Sequence, residues 1–301
     1  MNNNFDQRHI NDMKQGAIGL AALAICCLAK SEGVLAELTP ISDRELEQVQ
    51  GQAMIAIDQL AGMNQQFTRI TMGMDIGVQT NVDAVVLGDD GVASDLAVSQ
   101  LSLGHISQDD TKIQLDGQAY AIGDIVPFEA ENPYFELAEV DGEVVGLRVG
   151  FGQARGTLSG DISSLSGNLG LQLNDGAGNL SQAVLYDDST TATNYRATHI
   201  GLADAATDCA TGVQCSALSN LQTLDVGVDN GDGTVGFTDD LFLSFQKQAV
   251  DWQNLAGDQI INANPGVFVN IPTSMTLDLQ TLQNGIPRAR TEYIDRGMGL
   301  F

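Results

Sequence analysis

Positive charge is scarce in this chain: 13 lysines and arginines face 39 aspartates and glutamates, giving a net charge of −26. Beyond residue 36 only two lysines remain, Lys112 and Lys247. Binding to a phosphate backbone requires a basic footprint, so nucleic acid is excluded as a partner. The same excess of carboxylates favours solubility, repels anionic membrane surfaces and attracts divalent cations. Histidine is nearly absent too, with only His105 and His199 beyond the first 36 residues. The sequence holds neither a Gly-x-Ser-x-Gly elbow nor a His-Glu-x-x-His pair, so neither nucleophilic nor zinc-dependent hydrolysis finds support. Either histidine reads as a polar strand residue. Aromatic residues make up 5% of the chain, with one tryptophan, too few rings for the girdles of an outer-membrane barrel. No apolar run reaches the roughly 20 residues of a membrane-spanning helix. Proline is sparse at six residues, and no Pro/Ser-rich linker divides the chain.

What the chain does have begins with an address. Residues 1–36 read as an export signal: a polar start with Arg8 and Lys14, an apolar stretch from Ala17 to Ala29, then Val34-Leu35-Ala36 ahead of Glu37. Cys26 lacks the small preceding residue that a lipoprotein signal requires, because Ile25 stands there. Acidic and basic residues balance within this leader, so the mature chain carries the whole negative charge. Cys209 and Cys215, with five residues between them in an exported chain, are expected to form a disulfide that staples a surface loop.

Residues 37–60 are expected to form a helical segment. Ser42 is a good N-cap, Glu45 completes a capping box, and Ile41 with Leu46 occupy the hydrophobic-staple positions. Gly51 is a candidate stop, and Ala53 to Leu60 reads equally as a continuation of the helix or as a strand.

Residues 61–301 are expected to form one β-rich domain. From Ile70 to Val86 every even position except Thr80 is apolar, the alternation of a strand with one greasy and one wetted face. At about 3.3 Å per residue a straight strand of that length would approach 55 Å, so the run must bend, twist or turn a corner. Turn signals follow at Gly88 to Gly91, Ser107 to Asp110, Asp141-Gly142, Asn174 to Gly178, Asn230 to Gly233 and Asn284-Gly285. Asn132 to Phe151 reads as a hairpin about Asp141-Gly142, with Arg148 balancing Glu136 or Glu143 across the pair. Phe245 to Leu255 is ambiguous between a strand and a second short helix. The stretch from Leu158 to Leu169 shares its texture of short apolar steps, serine and glycine with Leu96 to Gly104. That texture suits a β-solenoid; an antiparallel sandwich or roll of long strands is the alternative, and an outer-membrane barrel a third choice. The expected class is all-β, with one short N-terminal helix after the signal peptide.

Two motifs compete for Asp229 to Asp240. Gly231-Asp-Gly233-Thr-Val-Gly236 matches the dinucleotide fingerprint by letter, but its surrounding aspartates would repel a pyrophosphate, so a Gly-rich turn is the expected structure. Clustered oxygens with a glycine also resemble a calcium loop, with Asp229, Asn230, Asp232 and Asp239 as candidate ligands. In the loop register Val228 stands where the first ligand should be, and a solvated Asn-Gly hairpin is the alternative. Calcium is the one cofactor considered, and no catalytic residue is assigned. A carboxylate-pair hydrolase would have to draw on an acidic set too large to name a pair.

Ile41 to Ala53, Phe67 to Ile70 with the alternating run behind it, and the hairpin Asn132 to Phe151 together resemble a family of uncharacterised exported proteins of gammaproteobacteria. The likeness covers the leader, the first fifty mature residues and the middle third; the chain from Asp204 onward is not placed by it. Some members lie among pilus or surface-filament assembly genes. The resemblance therefore implies a secreted, non-enzymatic structural protein of the cell surface, a component of or accessory to an appendage, whose partners are other subunits or itself. The alternative is a glycan- or calcium-binding β module at the surface or in the periplasm.

Overall fold

The alternating run that opens the β-rich region does not stay in one strand. The computed structural model describes residues 55–291, apart from 63, 189–190, 204–208 and 210–213. These residues belong to one unit, Gly51–Phe301. The Ser42-capped helix and the export signal lie outside the described residues. Of the two readings of Ala53 to Leu60, the strand is observed: Ile55–Ala61 (β1) pairs antiparallel with Gln66–Met72 (β2), so the helical segment does not extend to residue 60.

After β2 the chain breaks at Gly73-Met74, resumes as Asp75–Val78 (β3), and turns away at Gln79 into Thr80–Leu87 (β4). β4 pairs with Leu96–Leu103 (β5), whereas β2 and β3 both lie on Phe128–Val140 (β6). The corner inverts the alternation. In β4 the odd residues Val85 and Leu87 pack on the core, while Val82 and Val86 of the expected greasy face stand 40% and 54% exposed. A greasy even face running to Val86 is thus corrected at Thr80: when a strand moves from one partner to another, the face that meets the core is set by the new neighbour.

Glu143–Leu165 (β7) is the longest strand, at 23 residues. Asp141-Gly142 closes the β6–β7 hairpin as expected, with positive φ at both residues. The first half of β7 pairs with β6, from Val140↔Glu143 to Glu129↔Arg155. The second half pairs with β5, from Leu103↔Leu158 to Leu96↔Leu165. The two stretches of matching texture are therefore partners in one ladder rather than successive coils. Between the halves sits Gly156, at φ +128°, where a Cβ would approach the Phe128 Cα to 3.0 Å. Gly167–Leu169 (β8) follows one residue after β7, and Thr223–Val226 (β9) pairs with the second half of β7. Phe242–Gln246 (β10) pairs with the first half, antiparallel Gly266–Ile271 (β11) adds to β10, and β8 joins β11 in parallel. The order β1-β2-β6-β7-β10-β11-β8 does not close into a barrel. The fold is mostly β, with little helix.

Phe245 to Leu255 is not helical: it is the end of β10 and the strand Val250–Gln253, which pairs with Ile260–Ala263. That hairpin seats Trp252, fully buried, on Phe67, Val145, Phe242 and Phe268. A second and larger core surrounds Leu165, Leu171, Leu173, Tyr186 and Ile200. Cys209 and Cys215 are joined as expected, but both belong to this core, at 5% and 1% exposure, so the disulfide does not sit on the surface.

Replacing Gly156 by alanine combines a backbone conformation foreign to L-residues with a backbone collision, and is expected to cost roughly 2–5 kcal/mol in urea unfolding. Gly231→Ala, also at positive φ but in open space, is expected to cost only about 1–2 kcal/mol. Equal costs for the two would contradict this account of the β7 bend.

Candidate functional site

The calcium candidate is a hairpin in the structure. Val228–Asp229 pairs with Val235–Gly236, and Gly231 and Gly233 take the positive φ values of the turn, so the fingerprint glycines serve a hairpin as expected. Its polar atoms are engaged locally. Asp229 Oδ1 accepts the Gly231 N–H, Asp232 Oδ1 accepts both the Thr234 N–H and hydroxyl, and Asn230 Nδ2 donates to Thr234 Oγ1. Asp239 lies outside the hairpin and lines a different depression. Among the described residues no three His, Cys, Asp or Glu side chains gather as a metal would require. The histidines are separate as well: His105 Nε2 sits 3.2 Å from Gln114 Oε1, and His199 Nδ1 2.9 Å from Thr198 Oγ1. Burial holds the His105 imidazole below its ordinary pKa, which keeps it neutral near pH 7.

Two other places concentrate chemistry. The first is a buried ion network on β2, β6 and β7. Glu136 accepts from Arg148 Nη2 at 2.9 Å, both side chains being fully buried, and also from Arg69 Nε. Of the two partners expected for Arg148, Glu136 is the one observed; Glu143 faces Lys247 at 3.5 Å on the surface. The Arg148 guanidinium lies 4.9 Å from the Phe242 ring centroid, 5.0 Å from Trp252 and 5.4 Å from Tyr134, so aromatic faces enclose the charge. Beside it Asp240, at φ +63°, accepts the Leu255 N–H through Oδ1. Burial raises the Asp240 carboxyl above its ordinary value, against the pull of that hydrogen bond and of Arg148 and Arg69. Sequence reasoning narrowed the partner of Arg148 to Glu136 or Glu143 from the hairpin alone. It missed Arg69, Trp252 and Asp240, which reach the pair from other strands.

The second is an amide-lined groove along the parallel β8–β11 pair. Two open depressions of about 720 and 630 Å³ share Asn168, Asn194, Asn270 and Pro272. The second continues to Asn254, Gln259 and Asn262, with Asp239, Asp240 and Phe237 on its wall. Asn168 Nδ2 donates to Asn270 Oδ1 at 3.1 Å, and Asn270 Nδ2 donates to the Asp240 carbonyl at 2.7 Å. Asn264 Nδ2 donates to Asn194 Oδ1 at 3.1 Å. The recurrence of asparagine late in the sequence was the available signal; its convergence with residues 168 and 194 was not visible there.

No family model, curated protein or solved structure matches this chain.

Removing the carboxylate that serves both arginines should be severe, because it strands buried charge: Glu136→Gln is expected to lower stability by about 3–5 kcal/mol. Arg148→Met, which leaves Glu136 bonded to Arg69, is expected to cost less in the same urea titration. For Asp240 the sign follows from its raised pKa. The folded state holds the proton above the ordinary value of 3.8, so its contribution to stability declines as pH rises through the folded pKa. Thermal melts should therefore show Asp240→Asn gaining on the wild type as pH rises from about 4 through the raised folded pKa, where the wild-type carboxyl ionises; a gap independent of pH would refute this.

Proposed function

We propose that the protein is an exported, non-enzymatic component of the cell surface, a subunit of or accessory to a pilus-like appendage, that assembles through a free sheet edge. The periplasm is the alternative address. Its body is read as an antiparallel roll of two sheets sharing β7, in preference to a solenoid. The observation that carries the reading is the state of β1. This strand ends the main sheet, pairs only with β2 among the described residues, and presents Ile55 and Ile57 at 56% and 66% exposure. Its one charged residue, Asp58, lies opposite Arg69 in the ladder. Sheet proteins that remain monomeric blunt such edges with lysine, proline or a bulge, and β1 has none of these. Its outer-edge backbone groups, which pair with no strand among the described residues, suit strand addition by a second copy of the chain.

The charge of −26 opposes that pairing until it is screened. The Debye length falls from about 30 Å at 0.01 M salt to about 10 Å at 0.1 M, so association is expected to grow with salt and with millimolar calcium. Light scattering on the mature chain measures this directly. Ile55→Lys with Ile57→Lys, which places cations on the edge, is expected to return the sample to monomer. A monomer at every ionic strength and calcium level would sink the proposal.

A further inference from the structure

We infer that the groove along β8 and β11 is a binding site for neutral oligosaccharides. The chemistry of its wall makes the case. Each asparagine or glutamine offers a planar donor and acceptor side by side, the pattern that vicinal sugar hydroxyls answer, since each hydroxyl also both donates and accepts. The amides are held in place before any ligand arrives. Asn168 is fixed by Asn270, Asn270 by the Asp240 carbonyl, and Asn194 by Asn264. Among the described residues this leaves Asn168 Oδ1 without a partner as acceptor and Asn194 Nδ2 without one as donor, while Gln259, exposed at the rim and not fixed in this way, has a side chain without any. Preorganised polar groups lose little freedom on binding and set orientation, the property of a recognition site rather than of an indifferent surface.

Size and charge narrow the ligand. Each depression lies within the ~300–1,000 Å³ range of small-molecule sites, and the four residues they share place them side by side, an arrangement that suits a chain of sugar rings. Among the described residues no lysine, arginine or histidine lines either depression, while Asp239 and Asp240 line the second, which disfavours uronic acids and sulfated sugars. Phe237 supplies an apolar ring face on the same wall; its ring already holds the Arg155 guanidinium 4.5 Å from its centroid. An extended peptide would need free backbone groups along β8, and groups at both ends of this strand are already taken. Gly167 N–H donates to the Asn194 carbonyl, Gly170 N–H to the Ile271 carbonyl, and the Leu169 carbonyl accepts from Gln182. The site is independent of the β1 edge, so it stands whether or not the chain assembles.

The test is titration calorimetry on the mature chain with panels of neutral gluco-, galacto- and manno-oligosaccharides, acidic oligouronates, and extended peptides. Binding is expected to at least one neutral series, to strengthen with chain length, and to be absent for the oligouronates. Asn168→Ala with Asn262→Ala, both at exposed positions, should weaken it at least tenfold, about 1.4 kcal/mol, with the melting temperature unchanged. Gln259→Ala gives a second, independent variant expected to weaken binding. The inference falls if no neutral series binds, if uronates or peptides bind in preference, or if affinity is the same in both variants.

Discussion

The structure depends on the backbone hydrogen bonding of one strand. β7 has a strand partner along nearly all of its length and partners on both edges at 146–150 and 158–159, with β6 and β10 flanking its first half and β5 and β9 its second, and these four do not continue one another. An unpaired buried backbone group costs as much as a lost hydrogen bond, so a strand of 23 residues is viable only where a partner meets each stretch. Gly156 lets the strand change direction between the two sets, and the corner at Gln79 lets the preceding chain follow the same change from β3 on β6 to β4 on β5. Two bends, far apart in sequence, thus answer a single geometric demand.

The core under the first half is organised around charge. Arg148 and Glu136 lie where a sandwich would ordinarily place aliphatic residues, and Trp252, Phe242 and Tyr134 close around the guanidinium. A buried pair of this kind contributes little net stability against well-packed apolar residues, but it penalises wrong register heavily. A one-residue slip of β6 on β7 would send both charges to opposite faces. In a sheet built from glycine-rich strands, where apolar side chains alone specify register weakly, such a pair fixes which residues meet. Asp95 does comparable work across the second core, accepting the Val267 N–H at 2.9 Å and the Arg196 Nε–H at 2.8 Å, and so tying the start of β5 to β11.

How much of this was legible in the sequence follows from range. Alternation, turn residues and the Asp141-Gly142 hairpin are local, and they identified many of the strands, the hairpin, and Glu136 as one of two candidate partners for Arg148. The Cys209–Cys215 bridge needed only spacing, yet spacing carries no information on depth, and the cysteines lie within the core. The inversion of faces at Thr80 was hidden because the apolar pattern of Val82, Ala84 and Val86 continues past the corner while the partner strand changes. Phe245 to Leu255 stayed ambiguous because its strand is fixed by Ile260–Ala263 and by the seat of Trp252, both tertiary. The amide groove assembles residues 168, 194, 254, 262 and 270 from separate turns and strands, and no window of sequence contains it.

The pairing of β8 with β11 spans about a hundred residues of chain, and β10 reaches back a similar distance to β7. Contacts of such long range pay their loop-closure entropy before they return anything, which makes the topology intrinsically slow to form. During synthesis the polypeptide lacks β10 and β11 until residues 242–271 have emerged, so until then the first half of β7 has an open flank. Completion of the sheet waits on residues made long after β7, and timing is therefore written into the topology itself: the strand is finished well before the strands that close its flank exist.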